Sequence, residues 1–436
     1  MKRIWIMISV ILSFAAELQA SPNTYLTNGH PPYKTPPEIK PILKQFEQYA
    51  DNTFKKMRVP GSAIAIIYRN EIIFMKSYGV RRLGKKELID NDTLFQLGSV
   101  SKPVSATLAA ILAGQQQIHL DDPLEKYLPN FELQTHKKIR AIQPLKIRNL
   151  LNHTTGVPRA GFNALIEAYM PYNQIVNKLQ KTPINCTIGH CYDYHNVMFS
   201  VIGDVIAAAT RRTFGEALKQ HLLTPLNMRR TSTSLESLTN DLNKAYPHIR
   251  NERGVLSPCS YHSKSYYAVA PAGGVNSTIR DMAIFLQAQM GKFPHIVNKT
   301  ALNLMHEPLI TTPEVLTRMG NQRVKNAYYG LGWRILNFAN EKVVFHGGWL
   351  KGFNNVVAFL PEHELGIVVL QNAETRFAWQ STVKFFEMYL DLPEQPQYIP
   401  IQALKSYAKK KKKKLHPIRT ASHTTSLKAR KPTRKR

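Results

Sequence analysis

The chain has 436 residues, 43% hydrophobic and 20% charged, with a formal net charge of +29 from 58 Lys and Arg against 29 Asp and Glu. That length and hydrophobic content allow a sizeable buried core and exclude wholesale disorder, which needs low hydrophobicity together with high charge. Three cysteines exclude a disulfide-dense scaffold.

Residues 1–20 read as a secretory signal peptide. Lys2 and Arg3 precede an apolar run, Ile4 to Ala16, which is too short to span a bilayer comfortably. Cleavage after Ala20 would give an exported protein, periplasmic or secreted. Residues 21–39 form an extended lead-in. From Ile42 the positions Leu43, Phe46, Tyr49, Ala50, Phe54 and Met57 follow helical spacing, stopped by Pro60-Gly61. Ala63–Tyr68 and Ile72–Tyr78 are β-branched runs flanking Arg69-Asn70-Glu71, a hairpin pattern. Leu97–Ala113 predicts a buried helix closed by Gly114. Residues of about 120–230 read as a mostly helical lobe, clearest at Phe199–Ala208 and Phe214–Leu223. Asp281–Met290 predicts a helix capped by Ser277 or Thr278. Strands return at Val343–Phe345, Asn355–Phe359 and Gly366–Leu370, before a closing helix at Thr382–Leu390.

These elements define one body, residues 40–395. Strands at both ends with helices between imply an antiparallel sheet flanked by helices, a second helical lobe, and a cleft between them. Residues 405–436 then hold 14 Lys and Arg and no acid, including Lys409–Lys414. Removing those 14 and the net +1 of residues 1–20 leaves +14 for residues 21–404. The tail reads as disordered, either simply solvated or a tether to an anionic surface such as envelope polymer. The export signal, and a body without a nucleic-acid motif, argue against nucleic acid as the partner.

Ser99-Val100-Ser101-Lys102 carries the chemistry. On a helix, residues i and i+3 share a face, so hydroxyl and amine can meet. A serine hydroxyl needs a base, and a lysine kept neutral by burial can serve. Two other matches exist, Ser381…Lys384 in the closing helix and Ser406…Lys409 in the tail. Tyr194-His195-Asn196 adds a proton shuttle and an orienting amide; Tyr68-Arg69-Asn70 repeats its form inside the hairpin turn. His346-Gly347-Gly348 opens a late strand, where glycines permit close backbone approach. His153 reads as a helix-end histidine bonding loop backbone. Trp349 reads either as a substrate-facing ring or as a core aromatic. Cys186 and Cys191 are close enough in sequence to pair after export, which would stiffen the loop before Tyr194; free thiols are the other reading.

At this point the chain resembles the class C β-lactamases, DD-peptidases and related serine hydrolases and esterases. The blocks LFQLGSVSKPVSA, LDDPLEKYLP, IRNLLNHTTGVPR, YHNVMFSVIGDVI, TPLNMRRT, PAGGVNSTIRDMAIFL, YGLGW, HGGWLKGF and LGIVVLQN follow the family order over about residues 40–390. The resemblance implies an α/β (α+β) sandwich with a helical lobe. It also implies an acyl-enzyme mechanism on an ester, amide or β-lactam carbonyl of a small molecule or peptide, with no cofactor and no metal. By position, Ser99 would be the nucleophile, with Lys102 and Tyr194 sharing the proton work. Asn196 would contact substrate, and His346, Gly347 and Gly348 would line the strand edge. The backbone N–H groups of Ser99 and Trp349 would form the oxyanion hole. The chain departs from the Lys-Thr-Gly usual in class C β-lactamases: His346 is mostly neutral at pH 7 and Gly347 has no hydroxyl. Both changes weaken a carboxylate clamp and predict poor β-lactam turnover. The competing reading is a non-catalytic envelope protein that binds muropeptide or a partner through the same fold.

Overall fold

The computed structural model describes residues 33–134, 143–159, 162–315 and 321–394. The expected leader, the first part of the lead-in and the basic tail lie outside these residues.

Helix α1 (Lys40–Met57) buries Leu43, Phe46, Ala50 and Phe54, one stripe at helical spacing. It ends at Arg58 in a left-handed conformation, φ 53°. Strands β1 (Gly61–Tyr68) and β2 (Glu71–Gly79) form the expected hairpin. Arg69 and Asn70 both take positive φ, 49° and 63°, the geometry that matches the twist of paired strands.

The remaining strands of the main sheet are β3 (Ile310–Thr311), β4 (Val324–Tyr329), β5 (Arg334–Phe338), β6 (Glu341–Leu350), β7 (Phe353–Leu360) and β8 (Leu365–Gln371). They run in the order β2-β1-β8-β7-β6-β5-β4-β3, antiparallel throughout. The sheet thus joins both ends of the body, as the strand placement implied. The late strands are longer than expected, and β3, β4 and β5 were absent from the sequence reading.

The sheet separates two hydrophobic cores. On one face, α1 packs with the closing helix α5 (Phe377–Tyr389), Phe46 stacking on Phe385 at 4.9 Å and Phe54 meeting Phe377 at 5.8 Å. On the other lies α4 (Ile279–Gln289), capped by Thr278, whose hydroxyl accepts from Asp281 N at 3.1 Å. Gly366 lets α4 sit this close, because a Cβ there would lie 2.8 Å from Leu286 Cδ2. Helix α2 (Ser101–Gly114) is buried from Ser101 to Leu112 and lies between sheet and lobe. The lobe is helical as expected, with α3 (Asn196–Thr210) running from the second motif. Phe214–Leu218 passes into a π-helical turn at Lys219–Leu223, so that expected single helix changes pitch halfway.

Candidate active site

Ser99 sits in a short 3-10 turn, Gly98–Val100, which leads into α2. The turn is possible because Gly98 adopts φ +59°. Strand β6 presses against it. A Cβ on Gly348 would lie 1.9 Å from Leu97 O, and one on Gly98 would lie 3.2 Å from the Trp349 backbone. The two glycines therefore bring the Trp349 amide against the turn that carries Ser99. Strand β5 pairs with β6 only as far as Arg334 opposite Phe345, leaving residues 346–350 an open edge toward the cleft.

Lys102 is completely buried. Its Nζ lies 3.4 Å from Ser99 Oγ, donates to Asn196 Oδ1 at 2.7 Å and donates to the Ala272 carbonyl at 2.8 Å. Burial, then the positive field of Arg334, pushes its pKa well below the ordinary lysine range. A neutral amine has two hydrogens and one lone pair. In the neutral form, hydrogens donated to Asn196 and Ala272 would leave that lone pair for the Ser99 hydroxyl; the ammonium would donate to all three oxygens. The ammonium formed on proton transfer would lie 4.6 Å from the Tyr194 ring centroid and 5.4 Å from that of Phe199, faces that favour a cation.

Tyr194 precedes α3 and borders the same cleft. Burial raises its pKa, against the lowering effects of Arg334 and of its contact with Ser99. Asn196 opens α3 and is 8% exposed. Its amide is committed at both ends, Oδ1 to Lys102 and Nδ2 donating to Asn163 Oδ1 at 3.0 Å. Asn196 lines the cleft, as expected, and also holds Lys102; Asn163 adds a second amide beside it.

His346 lies at the edge as expected, but its ring is 1% exposed and faces inward. Nδ1 must carry the proton, since it bonds the Gly347 carbonyl at 2.9 Å; Nε2 then accepts from Tyr329 OH at 3.0 Å. Burial, followed by Arg334 and Lys102, holds its pKa well below the usual histidine value. It supplies no positive charge.

That charge comes from Arg334, which sequence reasoning missed. It follows YGLGW directly and is aimed by two glycines: a Cβ on Gly330 would lie 2.3 Å from Met305 O, and one on Gly332 2.8 Å from Lys102 O. Its guanidinium lies 5.2 Å from the Tyr194 ring centroid and 5.4 Å from that of Tyr329. Among the described residues, its Nη1 is buried with no hydrogen-bond partner.

The cleft has a volume of about 510 Å³ and is lined by Ser99, Tyr194, Asn196, Arg334, His346 and Gly347, among others. Arg159 adds a second cation, and Glu167, Asp193 and Glu314 add acids. Trp349 also lines it and is 59% exposed, so its ring is not part of the core. Cys186 and Cys191 are bridged, with Cα atoms 6.3 Å apart; Cys259 is free. The Tyr68–Asn70 match sits in the hairpin turn, and Ser381 and Lys384 sit in α5 on the far face of the sheet. Among the described residues, no group of three His, Cys, Asp or Glu gathers as a metal site would need.

Residues 46–382 match the family described as Beta-lactamase. Protein flp of Staphylococcus aureus (strain MW2) is 21% identical over 336 residues, 77% of this chain and 64% of that protein. Unguisins hydrolase ungD' of Aspergillus campestris is 24% identical over 356 residues, 79% of this chain and 64% of its own. The chain therefore spans less than two thirds of the length of these curated relatives. Two solved structures share the fold at 22% identity. The octameric penicillin-binding protein homologue from Pyrococcus abyssi has a TM-score of 0.71, over 80% of this chain and 78% of that one. The D-stereospecific amidohydrolase from Streptomyces sp. has a TM-score of 0.62, over 80% and 99%. With a match running from α1 into α5, this chain belongs to the β-lactamase family of serine hydrolases.

Proposed function

We propose that the protein is an exported serine hydrolase that acts through an acyl-enzyme on an amide or ester whose substrate carries a carboxylate near the scissile carbonyl. The observation that carries this reading is the buried Lys102 amine, whose Nζ lies 3.4 Å from Ser99 Oγ and is held by Asn196 Oδ1 and the Ala272 carbonyl. In the first step Ser99 Oγ attacks the carbonyl carbon and its proton passes to Lys102 Nζ. The oxyanion is met by the backbone N–H groups of Ser99 and Trp349, and such preorganised donors contribute about 3 kcal/mol each. Tyr194, kept protonated by its raised pKa, relays a proton to the leaving group. Water then attacks the acyl carbon, releases the acid and returns Ser99 to its hydroxyl.

Arg334 supports the carboxylate part of the reading. Its guanidinium belongs to the cleft lining and brings a positive charge there that a substrate anion would complement. The sequence expectation of a weakened carboxylate clamp rested on residues 346 and 347 alone. Slow β-lactam turnover remains part of the proposal, because both His346 nitrogens are engaged and Gly347 offers no hydroxyl. The matched proteins named as an amidohydrolase and an unguisins hydrolase are compatible with an amide substrate. The basic tail is proposed as an anionic-surface tether.

The test is a substrate panel of nitrocefin, a D-Ala-D-Ala peptide, its C-terminal amide and p-nitrophenyl acetate, with wild type and Ser99→Ala. The expected outcome is hydrolysis of the ester and of the free-acid peptide, both lost in Ser99→Ala. Equal rates on peptide and peptide amide would remove the carboxylate. Nitrocefin turnover above about 10² per second would contradict slow β-lactam chemistry.

A further inference from the structure

We propose that His153 is the positioning residue for Tyr194, gripping the backbone N–H of the residue on either side of it; this rests on the catalytic reading above. The backbone carbonyl of His153 accepts from Asp193 N at 3.0 Å, and its Nδ1 accepts from His195 N at 3.2 Å. One residue thus holds both chain neighbours of Tyr194. The ring also packs on Tyr194 itself, centroids 4.4 Å apart, and meets Tyr329 at 4.9 Å.

Two further features fit this role. His153 takes φ +61°, a left-handed conformation that side chains rarely adopt. That twist lets carbonyl and ring face the same segment. The ring is 1% exposed, and its Nε2 is buried without a hydrogen-bond partner. Since Nδ1 accepts from an amide, Nε2 carries the proton, and the ring must remain neutral to keep its grip. The surroundings enforce this. Burial dominates, with Lys102, Arg334, His346 and His195 around the ring, and its pKa is held well below the usual histidine value. Tyr192, Tyr194 and Tyr329 are the other titratable neighbours in contact with it.

The consequence is kinetic. A catalytic hydroxyl displaced by about 1 Å loses on the order of 10²-fold in rate. His153→Phe keeps an aromatic ring but loses the acceptor. His153→Asn places Oδ1 where Nδ1 stood and tolerates the left-handed backbone. Both are assayed beside wild type and Ser99→Ala by kcat and KM on p-nitrophenyl acetate and by fluorophosphonate labelling rate. The expected result is a fall of about 10- to 100-fold in kcat and labelling for His153→Phe, with KM within about twofold, and recovery to above about one third of wild type in His153→Asn. A folded His153→Phe with wild-type kcat overturns the proposal, as does His153→Asn impaired below that one third. If His153→Phe does not fold, the Asn variant alone decides by the same threshold. Ester hydrolysis that survives in Ser99→Ala would sink the catalytic reading and this proposal with it, whereas an inactive Ser99→Ala beside a fully active, folded His153→Phe sinks this proposal alone.

Discussion

The same Ser-x-x-Lys spacing occurs at two places on opposite sides of one sheet, and of these only Ser99 and Lys102 come within reach of each other at the cleft. At Ser99 the serine lies in the turn before α2, facing the cleft, while Lys102 is fully buried and held by Asn196 and Ala272. At Ser381 the burial is inverted. Ser381 is buried in mid-helix with its hydroxyl unpartnered, and Lys384 reaches outward to Glu394 at 2.7 Å. Helical spacing permits such a pair to share a face, but only Ser99 and Lys102 are brought together, at 3.4 Å. Chemistry needs the serine open to substrate and the amine dehydrated, and a helix N-terminus at a cleft supplies both.

Lys102→Met should break the comparison hardest. It removes the base and should lower kcat/KM on p-nitrophenyl acetate by about 10²- to 10⁴-fold. Lys384→Met should leave that value within experimental error, since its contacts with Glu394 and the Tyr49 ring lie on the far face of the sheet from the cleft. A comparable loss in the second variant would mean that α5 governs the site indirectly. Arg334→Met sharpens the account at a smaller scale. It should raise KM for the free-acid peptide by about 10-fold and leave p-nitrophenyl acetate nearly unchanged. Its pH profile adds a sign. On the proposed mechanism Lys102 works as a neutral base, so kcat/KM should rise with pH through the lowered Lys102 pKa. Removing Arg334 relieves its repulsion of the Lys102 ammonium, so this rising limb should move to higher pH. A limb that stays in place would assign it to another group.

Most of the scaffold was legible where one physical rule acted locally. The stripe Leu43, Phe46, Ala50 and Phe54 marked α1, Ser277 or Thr278 marked the start of α4, of which Thr278 is the cap, and Arg69-Asn70 marked the hairpin turn. Strands β4 and β5 were not legible. Lys325, Asn326, Arg334 and Asn337 interrupt their apolar runs, because part of each strand faces solvent or the cleft rather than a core. The site divides in the same way. Ser99, Lys102 and Tyr194 stood out as spaced residue types in an ordered set of blocks. Arg334 stood one position past YGLGW and was passed over, because its meaning depends on a strand ending opposite Phe345. The commitment of Asn196 to Lys102 and Asn163, and the grip of His153 on both neighbours of Tyr194, are contacts between distant segments. Residue spacing carries no trace of them.

The central claim is that a buried, neutral Lys102 activates Ser99. Its most direct measurement is the fluorophosphonate labelling rate across pH in wild type and Lys102→Met, with the adduct mapped by peptide mass. The account predicts a single adduct on Ser99, labelled faster as pH rises through the Lys102 limb, and slow labelling without that limb in Lys102→Met. An adduct on another serine, or equal rates and pH dependence in the two proteins, would contradict it.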